Sequence, residues 1–227
     1  MAGDAQSAHS FLDRVASDDR AALLDAGHPR RYRAGEPIFV VGGRGGFVVL
    51  ILEGRAKIIV PGPTGTETVL GLRGPGDLIG ELSAVEDEPA PRSATVVAVD
   101  PVVCRVVRNG DFRSLLAGRP SIALELLGLV ASRLRSSDRR LVEIGAYDTA
   151  QRVARLLADM AESGGRPSEA GLVLPAGLTQ DDLAGMVDAS RESVARALAA
   201  LRSLGLVSTA RRQVVVHDLP ALRAYGH

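Results

Sequence analysis

The segment LTQDDLAGMVDASRESVARALAALRSLGLV, residues 178–207, constrains the chain most. It reads as two short helices joined by a tight turn. Thr179 is a good N-cap with Asp182 three residues on, and Ser190 is a second N-cap just after Asp188-Ala189. Val194, Leu198 and Leu201 fall at i, i+4 and i+7, which puts them on one buried stripe. Glu192 and Arg196 then lie on the opposite face, and Arg191 sits at the helix N-terminus. This is how a helix-turn-helix offers its second helix to a major groove. A plain helical hairpin shows the same spacing, with Glu192 and Arg196 as a surface pair at i, i+4. The residues after the second helix favour the helix-turn-helix. Gly205-Leu206-Val207 ends the helix. Ser208-Thr209, a turn at Ala210-Arg211-Arg212 and the run Val214-Val215-Val216 then make a hairpin. A helix-turn-helix with a basic-tipped hairpin behind it is a winged-helix plan, with Arg211 and Arg212 placed near phosphates.

Upstream the texture is different. Residues 8–28 read as helical, with Phe11, Leu12, Val15, Leu23 and Leu24 on an apolar side. From Tyr32 to Val107, short β-branched runs alternate with turn signals such as Gly42-Gly43, Glu53-Gly54 and Gly74-Pro75-Gly76-Asp77. Many short strands at this spacing indicate a sandwich or barrel. After Asp111 the period turns helical. Leu127, Val130, Leu134, Ser137, Leu141 and Ile144 alternate by three and four, a heptad seam suited to a partner helix. A single helix lying on the barrel is the competing reading. Asp148 caps the next helix with Gln151 at its third position, and Gly145-Ala146-Tyr147 stand as a hinge. A small tail helix over Leu219 to Tyr225 closes the chain.

Composition narrows the function classes. The chain has 227 residues, enough for one large or two ordinary domains, and its net charge is zero. Residues 150–227 hold nine arginines against eight carboxylates, so DNA contact there rests on local clustering rather than on overall charge. Cys104 is the single cysteine, which excludes an intrachain disulfide and a cysteine-based zinc or iron–sulfur site; it reads as a small buried strand residue. His9, His28, His217 and His227 are scattered, and neither a nucleophile–histidine pattern nor a Walker-type loop is present. We therefore expect no enzyme and no metal site. The N-terminus lacks a basic start with an apolar core, and no apolar run reaches membrane-spanning length. The expectation is a soluble cytoplasmic protein without a membrane partner.

The order of β-barrel, long helix and winged helix resembles the CRP/FNR family of bacterial transcription regulators over about residues 10–217. Arg33-Ala34-Gly35-Glu36-Pro37-Ile38-Phe39 resembles the family's first barrel strands. Gly74-Pro75-Gly76-Asp77-Leu78-Ile79-Gly80-Glu81-Leu82, with Pro91-Arg92-Ser93-Ala94-Thr95, resembles its phosphate-binding cassette. Ala189-Ser190-Arg191-Glu192-Ser193-Val194-Ala195-Arg196 is similar to the recognition helix of the cyclic-AMP receptor branch. The fold class implied is α+β: a jelly-roll effector barrel over 1–110, a dimerisation helix and hinge over 111–147, and a winged-helix reader over 148–227.

The resemblance also implies site roles. Backbone amides at Gly80, Glu81 and Leu82 face a cyclic nucleotide phosphate, Arg92 pairs with it and Ser93 donates a hydroxyl. Glu81 accepts from the ribose hydroxyl, and Ser137 with Asp138 reaches the base. Cyclic AMP is the expected allosteric ligand, with no covalent cofactor. Thr179, Gln180, Ser190, Arg191, Glu192, Arg196, Arg211 and Arg212 contact DNA. Arg191 and Arg196 suit guanine and Glu192 suits cytosine, which points to a TGTGA-like palindrome. Leu127, Val130, Leu134, Leu141 and Ile144 form the homodimer seam, and RNA polymerase is an implied partner. Three departures stand out. Glu86-Asp87-Glu88-Pro89-Ala90-Pro91 lengthens the cassette, the base-contacting pair is Ser137-Asp138, and Asp188 stands where the family's turn has glycine. Three alternatives stay open: a cassette kept for structure with Glu81 paired to Arg92, a DNA-binding regulator that needs no cyclic nucleotide, and a nucleotide-responsive module acting on a protein partner.

Overall fold

A computed structural model describes residues 10–62, 67–86, 90–174, 177–210 and 213–227. Asp87, Glu88 and Pro89 of the lengthened cassette, and Arg211 and Arg212 of the hairpin tip, lie outside the described residues. The chain divides into two compact units, one of residues 9–66 and 70–135 and the other built on residues 136–227.

In the first unit the leading segment is two helices rather than one, α1 (Phe11–Arg14) and α2 (Ser17–Asp25). Ser10 and Asp13 form a capping box on α1, and Val15 breaks away with an extended backbone at ψ 145°. The break lets Phe11, Leu12 and Val15 all reach one core. Eight strands come next: β1 (His28–Tyr32), β2 (Pro37–Phe39), β3 (Phe47–Glu53), β4 (Ala56–Pro61), β5 (Glu67–Arg73), β6 (Leu78–Ile79), β7 (Thr95–Ala98) and β8 (Val102–Arg108). They form two sheets in the orders β1-β8-β3-β6 and β2-β7-β4-β5. The expected barrel is thus a jelly-roll-like sandwich whose sheets do not close into a ring.

The middle of β3 is buried on both faces because it separates two cores. Val49 and Ile51 point inward, where they meet Ile38, Ala56, Val96 and Ala98 of the other sheet. Val48 and Leu50 point outward, where they meet helices. Those helices are α3 (Leu82–Val85), α4 (Asn109–Gly118) and α5 (Pro120–Ala146). Ile122, Leu126 and Leu129 of α5 join Phe11, Leu23 and Phe112 in this second core. The turn before β6 is set directly by its residues. Pro75 presets the first central position, Gly76 takes φ +84° at the second, and Asp77 N donates to Gly74 O at 3.0 Å. Cys104 is fully buried, and desolvation pushes its thiol up to about 11, so it stays protonated and unreactive at neutral pH.

The second unit contains α6 (Thr149–Gly164), β9 (Arg166–Ser168), β10 (Gly171–Val173), α7 (Gln180–Val187), α8 (Arg191–Ser203), β11 (Val207–Ala210), β12 (Gln213–Val216) and α9 (Leu219–Tyr225). Its sheet runs β11-β12-β10-β9, all antiparallel. Asp148 and Gln151 form the expected capping box on α6. Asp188, at the turn of the helix pair, adopts left-handed geometry with φ 50° and ψ 59°. It is the one non-glycine residue with positive φ among the described residues. The aspartate departure therefore keeps the turn at some conformational strain. Asp188→Gly is expected to raise stability by up to about 1 kcal/mol and Asp188→Ala to lower it by about as much. Thermal unfolding of the pair reads this directly, and equal stability of the two variants refutes it.

Among the described residues no single helix is long and apolar enough to cross a membrane.

Candidate functional site

The cassette lies between β6, α3 and the segment entering β7. Gly80 takes φ +82°, a conformation that L side chains rarely adopt. A Cβ there would also lie 2.5 Å from Arg92 Nη1, so glycine is needed for the arginine's seat. Glu81 precedes α3 and is 5% exposed, while Leu82 is exposed and Ser93 faces solvent.

Glu81 and Arg92 do not pair. Glu81 Oε1 accepts from Arg133 Nη1 of α5, and Arg133 Nη2 donates to Leu78 O at 2.7 Å. Arg92 is 3% exposed and uses neutral acceptors instead. Its Nη1 donates to Ser83 Oγ at 2.7 Å and to Gly80 O at 3.2 Å, and its Nη2 donates to Phe47 O at 2.6 Å. The guanidinium also lies 4.1 Å from the Phe39 ring centroid and 4.8 Å from that of Phe47. Its Nε is buried without a partner. Burial pushes the Arg92 guanidinium below its ordinary range, partly offset by the charge of Glu81. A buried cation hydrogen-bonded only to neutral groups is suited to taking an anion. Gly80, Glu81, Leu82, Arg92 and Ser93 thus gather in the first unit, joined by Arg133, Ser83, Phe39 and Phe47, which the sequence alone does not single out. Ser137 and Asp138 are exposed on α5 and belong to the second unit.

The residues expected to form a seam lie along the rest of α5. Leu127, Leu134 and Leu141 are 63–70% exposed, Ile144 is 41% exposed, and Val130 is half-buried. Leu124 and Val142 add to the exposed apolar surface.

The helix pair is built as its spacing predicts. Thr179 Oγ1 caps α7, accepting from Asp182 N and donating to Asp182 Oδ2, so its hydroxyl is already engaged; Gln180 is exposed. Ser190 Oγ caps α8 by accepting from Ser193 N at 3.1 Å. Val194, Ala197, Leu198 and Leu201 are buried beneath it. Arg191, Glu192 and Arg196 all face solvent. Arg196 Nη2 donates to Ser193 Oγ at 2.9 Å, and Arg191 lies 3.8 Å from Asp181, with both of those side chains 67% exposed. Among the described residues no cluster of histidine, cysteine and carboxylates could hold a metal.

Known proteins match both units. The cyclic nucleotide-binding domain family matches residues 29–119, and the Crp-like helix-turn-helix domain family matches residues 151–225. The CRP-like cAMP-activated global transcriptional regulator of Mycobacterium tuberculosis is 32% identical over 87% of this chain and 88% of that protein. The cyclic AMP receptor protein of Thermus thermophilus is 31% identical over the same shares. The solved structure of the c-di-GMP responsive global regulator CLP of Xanthomonas campestris superposes with a TM-score of 0.78. It is 22% identical and covers 89% of this chain and 100% of that one, a likeness of fold.

Proposed function

Because this chain belongs to the CRP/FNR family of bacterial transcription regulators, we propose that it works as a cytoplasmic homodimer controlled by cyclic AMP. In this reading residues 1–110 sense the ligand, 111–147 join two copies and 148–227 read a TGTGA-like palindrome and engage RNA polymerase. Ligand at Gly80, Glu81, Leu82, Arg92 and Ser93, reached also by Ser137 and Asp138, favours the DNA-competent arrangement. It does so only as far as it binds that state more tightly. Two copies of α8 then enter major grooves about 34 Å apart.

One observation carries the reading: Arg191, Glu192 and Arg196 stand exposed over a helix whose apolar stripe is buried. The exposed leucines of α5 support pairing through Leu127, Val130, Leu134, Leu141 and Ile144. The choice of ligand is drawn from the relatives, which are described as cAMP-activated. A second reading, a DNA-binding regulator without a cyclic nucleotide, is favoured by the seat of Arg92. Three of its five N–H donors are already given to Phe47, Gly80 and Ser83, and it is 3% exposed, so it is held in place by the protein without a ligand.

Selection of binding sites from random duplex DNA, with and without cyclic AMP, tests both. The expected result is a TGTGA-like palindrome enriched far more strongly when the nucleotide is present. Equal enrichment in both arms supports the second reading, and no enrichment in either overturns the DNA reader and leaves a module acting on a protein partner.

A further inference from the structure

Arg152 of α6 caps the ends of two other helices at once. Its Nη1 donates to Tyr147 O at 2.7 Å and to Ile144 O at 3.4 Å, at the C-terminal end of α5. Its Nε donates to Val187 O at 2.9 Å and its Nη2 to Asp188 O at 3.4 Å, at the C-terminal end of α7. Every one of these acceptors is a backbone carbonyl. The last carbonyls of a helix lack an intrahelical partner, and a cation there also meets the negative end of the helix dipole. At α5 the vacancy is plain. Asp148 N, which would continue the ladder to Ile144 O, donates instead to Gln151 Oε1 at 3.1 Å.

This double cap sits at the root of α8. Val187 ends α7, Asp188 makes the left-handed turn, and Ser190 is already the N-cap of α8. The carbonyls held by Arg152 therefore stand just before Arg191 and Glu192. Helices α6, α7 and α8 are fixed to one another by an apolar core, in which Val153, Leu157, Leu183, Val187, Val194 and Leu198 are buried. The end of α5 is held differently. Leu141 and Val142 in its last turns are 70% and 68% exposed, so polar ties secure this end to the rest of the unit. Arg155 donates from Nε and Nη2 to Glu143 Oε1 at 3.0 and 2.9 Å, and Arg140 feels the charge of Asp159. Both ties join α5 to α6 alone, whereas Arg152 reaches the turn before α8 as well. A planar fork of N–H donors can span two helix ends in one fixed geometry, which the single point of a lysine ammonium cannot.

We infer that Arg152 is a positioning residue: it sets the direction of α8 relative to the end of α5, and thereby the separation of half-sites that two copies of the chain accept. The inference rests on the proposed reading of DNA by a homodimer and deepens it. Arg152 acts through the backbone of Val187 and Asp188 and needs no contact with DNA of its own. Base preference inside one half-site belongs to the exposed face of α8, while half-site separation belongs to how α8 is joined to the paired helices.

The test takes the palindrome that the full chain selects from random duplexes and moves its halves together or apart by one or two base pairs, with cyclic AMP present and absent. The parent chain should prefer one separation. Arg152→Gln and Arg152→Lys should lose about tenfold of the discrimination between that separation and its neighbours, the effect of giving up charge-assisted hydrogen bonds. Base preference within a half-site should stay as in the parent. A merely structural role gives no such split, since it weakens every separation alike. Arg152→Lys keeps a positive charge near both helix ends, so it carries the test where Arg152→Gln does not fold. Variants that keep the parent's separation preference, or that lose base preference and separation preference together, would overturn the inference and leave the DNA reader standing. A parent chain that binds no duplex removes the reader itself and the inference with it, so the two failures are distinct.

Discussion

Arg133→Ala is expected to destabilise the protein by about 3–5 kcal/mol. The reason is the carboxylate left behind. The Glu81 side chain is 7% exposed and that of Arg133 22% exposed, and the two are joined across 52 residues of sequence. Removing the guanidinium leaves a buried anion without its partner, and also frees Leu78 O. Domains of this kind have about 5–15 kcal/mol in all, so the loss should shift the denaturant midpoint well outside error. The control separates charge from packing. Combining Arg133→Met with Glu81→Gln removes both charges at similar volume, and should recover most of the loss. An Arg133→Ala variant within about 1 kcal/mol of the parent would show that Glu81 is satisfied by other means.

Arg133 also shows what the sequence makes legible and what it hides. The exposed apolar stripe of α5 is legible because apolar residues at alternating spacings of three and four can be read without knowing what covers them. The opposite stripe, Ile122, Leu126 and Leu129, is equally present but points at the sandwich. Arg133 continues that stripe at i+11 from Ile122, a charge at a position otherwise apolar. A search for its counter-charge leads to Glu81. The Ser190 cap, the Asp148 capping box and the Gly74–Asp77 turn are all readable, since each is a local hydrogen bond written in adjacent residues. Non-local features are not. His28-Pro29-Arg30-Arg31-Tyr32 has no apolar alternation, yet it forms β1 because β8 offers it a pairing edge. The seat of Arg92 depends on Phe39 and Phe47, brought together from two different sheets. No spacing rule reports such a meeting, and a pairing of Arg92 with Glu81 is the natural but incorrect guess.

Arg191→Ala should leave folding almost untouched while removing much of the sequence preference of DNA binding. Stability and base preference depend on different contacts of this side chain. Among the described residues, Arg191 has only a 3.8 Å contact to Asp181, with both side chains 67% exposed. Such an ion pair is screened by solvent, and its loss should shift stability by at most about 1 kcal/mol, probed by thermal unfolding. On DNA the same guanidinium can reach guanine O6 and N7 together, a contact that discriminates by about 1–3 kcal/mol. In the proposed homodimer on a two-fold site the contact is made twice, so about 2–6 kcal/mol of specific affinity is at stake. The salt dependence separates base reading from phosphate attraction. Losing a base contact flattens preference at one position in each half-site, whereas losing a phosphate contact weakens all duplexes alike and lowers the salt slope. Competition between the palindrome and its singly substituted versions, repeated at two salt concentrations, distinguishes these outcomes. Unchanged preference at every position would remove Arg191 from the reading face and, with it, the orientation of α8 on which the proposed function depends.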